Sequence, residues 1–407
     1  MVAVQTEKLK PGQVLAEEVR DINGRLLLAK GSAIQPNHIR VFRIWGIAEV
    51  RIAEECPSPE KLDPRLDPEM VEQAAENMKF LCRYLDLEHP ASKEIFKLSV
   101  EYRCRHDLFG PDVNLHFQER EIPCKPQKMH FLEELNEKKI ILPEIPSVVF
   151  ELNEVIANPM SSAEHIADVV NRSPSLTALL LKIVNSSFYG FPSKIGKVSH
   201  AVTLIGTREI SGLALGISIL SIFKNIPKEI LDMYSFLKHS LACAILSRVI
   251  AAHLNCSQTE QMFVSGLLHD LGRLILYIHY PNEAYNIIAR SRKKANLLYE
   301  EEKNYLGCDH TQVGRQLLMR WKLPMILENN VFYHHKPSAA QQPIPAAIVH
   351  LADLIVNSLG IGSSGEKFVP PLDHDAWENL ELSPSCFEKL IGQAMHQFKA
   401  LEPILNV

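Results

Sequence analysis

Gly266-Leu267-Leu268-His269-Asp270-Leu271-Gly272 sets an imidazole beside a carboxylate in an otherwise apolar run. A carboxylate isolated in such surroundings is costly to bury, and a metal ion or a histidine partner removes that cost. The apolar pattern on both sides predicts a buried helix running through the pair. Neighbours on a helix project about 100° apart, so His269 and Asp270 can share one ion only if it lies off the axis between them.

Working outward, the same kind of residue recurs on other apolar helices. The segment 228–254 is apolar nearly all round, and at helical spacing His239 shares a face with Cys243, Leu246 and Ile250. An inward histidine requires a partner. His310 follows Asp309, a predicted helix cap, and its face continues through Val313, Gly314, Leu317 and Trp321. At a helix N-terminus the positive end of the dipole should keep that ring neutral, as a metal ligand must be. His334 and His335 end a helix that begins near Pro324, and Asp353 lies in the apolar helix Ala346 to Val356. The candidate set is therefore His239, His269, Asp270, His310, His334, His335 and Asp353. Its mixed nitrogen and oxygen donors suit a divalent transition metal such as iron, manganese or zinc.

Each of these residues has a plainer explanation when taken alone. A single buried His239 or His310 is ordinarily a core histidine bonded to a carbonyl, and Asp353 an ion-paired or capping residue. His334 and His335 could be a solvated helix end beside Lys336-Pro337. It is their recurrence on five apolar helices that points to a shared site.

The rest of the 407-residue chain divides by pattern. Residues 1–55 read as a small β-rich unit, with strands over Val14 to Arg20 and Arg25 to Ala29 joined by a hairpin turn at Asn23-Gly24. A short helix from Pro36 to Trp45, closed by Gly46, and a strand from Ala48 to Ile52 complete that unit. Residues 56–138 read as a linker and helical connector. Pro57, Pro59, Pro64 and Pro68 interrupt its start, and helical patterns cover Glu69 to Leu85 and Ser92 to Leu108. Residues 139–359 form a string of helices broken by prolines, an all-α domain, and residues 360–407 a loop followed by a last helix from Ser383-Pro384. The fold class is thus mainly α, a large helical domain preceded by a small β-rich one.

Charge and composition exclude several functions. A net charge of −5 gives no overall footprint for nucleic acid. Residues 199–220 match a helix-turn-helix in length, but their second helix, from Ile210 to Ile217, is too apolar to face phosphates, so duplex DNA is not an expected partner. The N-terminal residues carry Glu7, Lys8 and Pro11 before any apolar run, unlike a signal peptide. The longest uncharged apolar stretch, Ile210 to Phe223, falls short of the ~18 residues that span a bilayer. The eight cysteines include no CxxC pair and read as reduced thiols. A cytoplasmic protein without a membrane partner is expected.

Several motifs in one order carry a family resemblance. Leu142-Pro143-Glu144-Ile145-Pro146, then Leu179 to Gly190 with its Asn185-Ser186-Ser187-Phe188-Tyr189-Gly190, then His200 to Gly206, are similar to the opening of the HDOD domain, the HD-related output domain of bacterial signalling proteins. Gly266 to Gly272, His310 to Pro324 and His334-His335 resemble its later half, so the likeness spans about residues 140–357. Pro11-Gly12 to Ile52 faintly resembles small domains that precede HD-GYP phosphodiesterases. The resemblance implies an all-α fold related to the HD metallophosphohydrolases but used for regulation, with ligand positions falling on the seven residues above. Arg273 stands where HD-GYP enzymes carry a lysine, and Lys336-Pro337-Ser338 follows the double histidine without a Gly-Tyr-Pro segment. Both departures argue against cyclic dinucleotide hydrolysis. Asn171-Arg172-Ser173-Pro174 also replaces the family's usual aspartate-proline.

Two functions follow from this resemblance. The first is a signal-transduction module that works through protein partners, its HDOD domain binding divalent metal. The second is a metal-dependent phosphohydrolase, in which Asp270 would bridge two ions, a bound water would attack a phosphodiester or nucleotide, and Arg273 would hold the substrate phosphate.

Overall fold

The computed structural model describes residues 2–9, 15–20, 26–28, 34, 36–52, 68–106, 108, 146–158, 160–186, 189, 191, 193–223 and 226–405. It is mainly helical, as the periodicity predicts. Near the N-terminus β1, Val2–Gln5, pairs antiparallel with β4, Glu49–Ile52, placing Gln5 opposite Glu49. β2, Val19–Arg20, pairs with β3, Leu26–Leu28. The expected turn at Asn23-Gly24 lies outside the described residues. Helix α1, Pro36–Ile44, opens on the proline, whose missing N–H costs nothing at a first helical position. Gly46 follows at φ +68°, the left-handed conformation expected of it. Val4, Leu15, Ile34, Phe42 and Val50 form this unit's own small core.

The other helices are α2 Pro68–Leu81, α3 Pro90–Arg105, α4 Ser147–Ala157, α5 Ala163–Asn171, α6 Pro174–Val184, α7 Val198–Ile205, α8 Thr207–Leu220, α9 Met233–His253, α10 Thr259–Leu268, α11 Leu271–His279, α12 Pro281–Lys294, α13 Leu298–Leu306, α14 His310–Arg320, α15 Met325–Tyr333, α16 Pro343–Leu359, α17 His374–Leu380 and α18 Phe387–Leu401. One apolar cluster runs through them from Ala74 to Leu401. Pro68, grouped with the linker prolines in the sequence, instead occupies the first position of α2, and Pro90 does the same for α3. Five more of the described α-helices open on or directly after a proline.

Helix α9 is the axle. It starts at Met233 because Asp232 caps it, accepting from the N–H groups of Tyr234 and Ser235, and it packs against α10, α16 and α18. By length and composition it is the one described helix apolar enough to cross a membrane, but 78% of its most apolar window is buried within the fold. Residues Ile210 to Gly216 of α8 are buried, packed on α4 and α10, so this apolar helix is part of the core.

Candidate metal centre

Helix α10 ends at Leu268 and α11 begins at Leu271. His269 and Asp270 therefore sit at a junction between two helices, which corrects the expectation of one continuous helix through the pair. The junction backbone, with Asp270 at φ −96° and ψ 11°, frees the two side chains from the angular offset of an unbroken helix. His269 Nε2 lies 3.2 Å from Asp270 Oδ2.

All seven predicted ligands converge on this junction, and they form two lobes. In the first, His239 Nε2 and His269 Nε2 are 3.3 Å apart, and both approach Asp353 Oδ1, at 3.1 and 3.3 Å. Asp270 Oδ2 closes this lobe, 3.7 Å from His239 Nε2. In the second, His310 Nε2 lies 3.4 Å from His334 Nε2 and 3.2 Å from His335 Nε2, with Asp270 Oδ1 at 3.0 Å. Asp270 thus offers one oxygen to each lobe. Asp270 is 2% exposed and Asp353 4%, and every histidine of the set except the half-buried His335 is fully buried.

The surrounding groups fix these side chains. His269 Nδ1 lies 2.8 Å from the Gly266 carbonyl and His334 Nδ1 lies 2.9 Å from the Val331 carbonyl. A carbonyl only accepts, so each Nδ1 must carry the proton. In the neutral rings each Nε2 then presents a lone pair to the lobe. His310 Nδ1 is held by Glu302 Oε2 at 2.6 Å, and Asn357 donates to Asp353 Oδ1 at 2.8 Å. Outer partners of this kind orient metal ligands. From further out, Arg103 of α3 donates through Nε to the Ser358 carbonyl at 2.9 Å, tying α3 to the end of the helix that carries Asp353.

Charge is strongly coupled here. Burial alone would raise the Asp270 and Asp353 carboxyls. Arg273, His269 and His310 hold Asp270 well below the usual range, and hydrogen bonds from His239 and His269 do the same for Asp353. Burial opposes the charge on His269, but Asp270 and Asp353 outweigh it and raise that ring to about 10. Burial likewise disfavours charge on His310, yet Glu302 and Asp270 raise it to about 9. The expectation that a helix N-terminus keeps His310 neutral is thereby corrected, because two adjacent carboxylates outweigh a partial dipole charge. Burial, then the charges of His269 and His310, press His334 down to about 3.

A divalent cation fits this donor set. As metal ligands the imidazoles must be neutral, and they would then face one another across 3.2–3.4 Å with lone pair against lone pair. A cation in each lobe would take the place of the protons that the nearby carboxylates hold on His269 and His310, engaging the same nitrogen and oxygen donors. Cys243 Sγ, 3.7 Å from His239 Nε2, adds a donor that the sequence had shown only as a facial neighbour. Glu302 and Asn357 were missed. Glu302 is hidden in the acidic run Glu300-Glu301-Glu302, and only its spacing of eight residues from His310 would have marked it.

Arg273 was expected to meet a substrate phosphate. It is instead 1% exposed, donating to Asp270 Oδ2 at 3.3 Å, Glu302 Oε1 at 3.2 Å and Ser364 Oγ at 2.5 Å. Its Nε and Nη1 are thus engaged behind the lobes, while Nη2 is buried without a hydrogen-bond partner among the described residues, 3.8 Å from Glu366 Oε2.

An all-α domain whose helices bring histidines and aspartates to one buried, two-lobed centre defines the HD-like class. Residues 142–337 match the HDOD domain model, so this segment of the chain is an HDOD domain. Asp353, Asn357 and Ser364 lie beyond the matched segment. An uncharacterised protein of Treponema pallidum (strain Nichols) is 23% identical over 211 residues, 50% of this chain and 40% of that relative, so less than half of the relative is matched. An HDOD domain protein of unknown function from Geobacter sulfurreducens shares the fold with a TM-score of 0.58 and 21% identity, covering 68% of this chain and 97% of its own. A protein from Shewanella amazonensis SB2B named "Putative phosphohydrolase" gives a TM-score of 0.54 at 22% identity, covering 68% and 100% of the two chains.

Proposed function

We propose that the protein is a signal-transduction module whose HDOD domain holds two divalent metal ions, one in each lobe, and that it acts through contacts with partner proteins. Asp270 carries this reading, because a buried carboxylate with one oxygen facing each histidine group is the arrangement of a bridging ligand. His239, His269 and Asp353 would hold one ion, and His310, His334 and His335 the other. Iron, manganese and zinc all accept such donors. Arg273 positions Asp270, and Asn357 positions Asp353. When bound, the ions would supply Lewis acidity and could lower the pKa of a bound water.

The alternative, a metal-dependent phosphohydrolase, draws on the same ligands and on the name of the Shewanella protein. Access to the ligands favours regulation. The least buried of them, His335, is covered by the ring of Tyr299 stacked at a centroid distance of 4.2 Å, and Arg273, 1% exposed, is closed off from a phosphate in solution.

Elemental analysis of protein loaded separately with manganese, iron and zinc should find about two ions per chain, and His269→Ala should lose metal from the first lobe. A full complement of histidines with no bound metal would sink the reading. Loaded protein should leave a generic phosphodiester and a nucleotide intact, and turnover that Asp270→Asn abolishes would move the assignment to the hydrolase. Asn357→Leu should weaken metal binding by about 10- to 100-fold, as losses of outer partners do. Equilibrium competition with a metal-sensitive dye measures that shift.

A further inference from the structure

One cleft is remote in sequence from the metal ligands. It measures about 440 Å³ and opens between the N-terminal β unit and the outer faces of α3 and α18. That volume falls in the range of small-molecule sites, which favour the seams between structural units. Its floor is apolar, built from Leu98, Ile391 and Met395.

Its walls are cationic. Lys8 and Arg43 enter from the β unit, Arg105 from α3, and Lys389 and Lys399 from α18. Lys389 is paired with Glu49, but Lys8, Arg43, Arg105 and Lys399 form no ion pair among the described residues. These four side chains are exposed and free to draw an anion from solution to the apolar floor. The field is felt by His106. Burial lowers its pKa first, and the charges of Lys399 and Arg105 lower it further.

Two further features narrow the ligand. Glu101 and Gln393 line the cleft, and one side-chain oxygen of each, Glu101 Oε1 and Gln393 Oε1, is buried without a hydrogen-bond partner among the described residues. Orphan acceptors call for donors, so the ligand should carry hydroxyl or amino groups as well as negative charge. Tyr102 and His106 stand together at a ring-centroid distance of 4.3 Å, tilted 45° to one another, and add aromatic surface to the wall. The carboxylates of Glu7, Glu101 and Glu388 interrupt the cationic wall, which suits a compact anion and opposes a continuous nucleic-acid backbone.

We propose that this cleft is a binding site for a small phosphorylated metabolite, its phosphates set among Lys8, Arg43, Arg105 and Lys399 and its hydrogen-bond donors turned to Glu101 and Gln393. The site requires no metal and stands independently of the function proposed above.

Calorimetric titration of the full chain with ATP and, separately, with inorganic pyrophosphate tests this, in low-salt buffer containing a chelator. Saturable binding is expected, and reversing two charges with Arg105→Glu and Lys399→Glu together should weaken it by about tenfold or more. Glu101→Gln should tighten pyrophosphate binding, an opposite sign that mere loss of structure cannot produce. Tighter binding of ATP than of pyrophosphate assigns the site to a nucleoside phosphate, and equal binding assigns it to the phosphate groups alone. Absence of saturable binding by either probe overturns the proposal. So does binding that is indifferent to the Arg105 and Lys399 reversals and lost in Asp270→Asn, which would place the phosphate at the histidine centre.

Discussion

Asp270→Asn should empty both lobes at once, taking bound metal from about two ions per chain to near none. The side chain divides its oxygens between His269 at 3.2 Å on one side and His310 at 3.0 Å on the other, so no single lobe keeps its complement when the charge is removed. Asp353→Asn makes the informative contrast. Of the candidate histidines its Oδ1 faces His239 and His269, and that variant should retain the His310, His334 and His335 lobe with about one ion. The metal-free protein should also suffer from Asp270→Asn. Arg273 is 1% exposed and loses a charged partner, and breaking a buried pair on one side costs on the order of 3–5 kcal/mol. Chemical denaturation of the apo proteins reads that cost, and elemental analysis reads the occupancy. If Asp270→Asn keeps two ions, the bridging role is wrong.

The sequence exposed the ligands because each lies on a helix that is otherwise apolar. A histidine among Leu, Ile and Val stands out, and helical periodicity says which way it points, as for His239 on α9. Helix starts were legible where their chemistry is local. Asp309 caps α14 through the N–H groups of Thr311 and Gln312, as its position predicted. What stayed hidden depends on contacts between distant segments. The break at His269 and Asp270 leaves no composition signal, since Leu271-Gly272 continues the apolar pattern. Ser364 and Arg273 meet across 91 positions, and nothing local marks a serine in a Gly and Ser loop as a partner for a buried guanidinium. The same limit explains Arg273. Its position beside the His-Asp pair suggested a substrate contact, whereas its surroundings, Glu302 and Ser364, come from elsewhere in the chain.

Gly272→Ala should be among the most damaging single substitutions in the protein, although it adds one methyl group far from any charge change. A Cβ at Gly272 would lie 1.9 Å from the His310 carbonyl oxygen and 2.8 Å from the Gly314 nitrogen, so the obstruction is backbone and no side chain can swing aside. Helices α11 and α14 cross at this point, and that crossing sets the distance between Asp270 and His310. Relief requires the two helices to part by more than an ångström, which strips contacts from Val313, Leu274 and Ile275, all fully buried. Overpacking ordinarily costs about 1–3 kcal/mol, and a clash with backbone belongs at or beyond the upper end. The same displacement draws His310 away from Asp270 Oδ1, so the second lobe should lose metal while the first, built from His239, His269 and Asp353, is less affected. Gly392→Ala supplies the control: its Cβ meets nothing within 4 Å on helix α18, and the change should leave stability equal or up to about 1 kcal/mol higher. Denaturant midpoints for the two variants, taken with metal content per chain, decide the matter, and a Gly272→Ala protein as stable and as fully loaded as the parent would contradict the close crossing on which the second lobe depends.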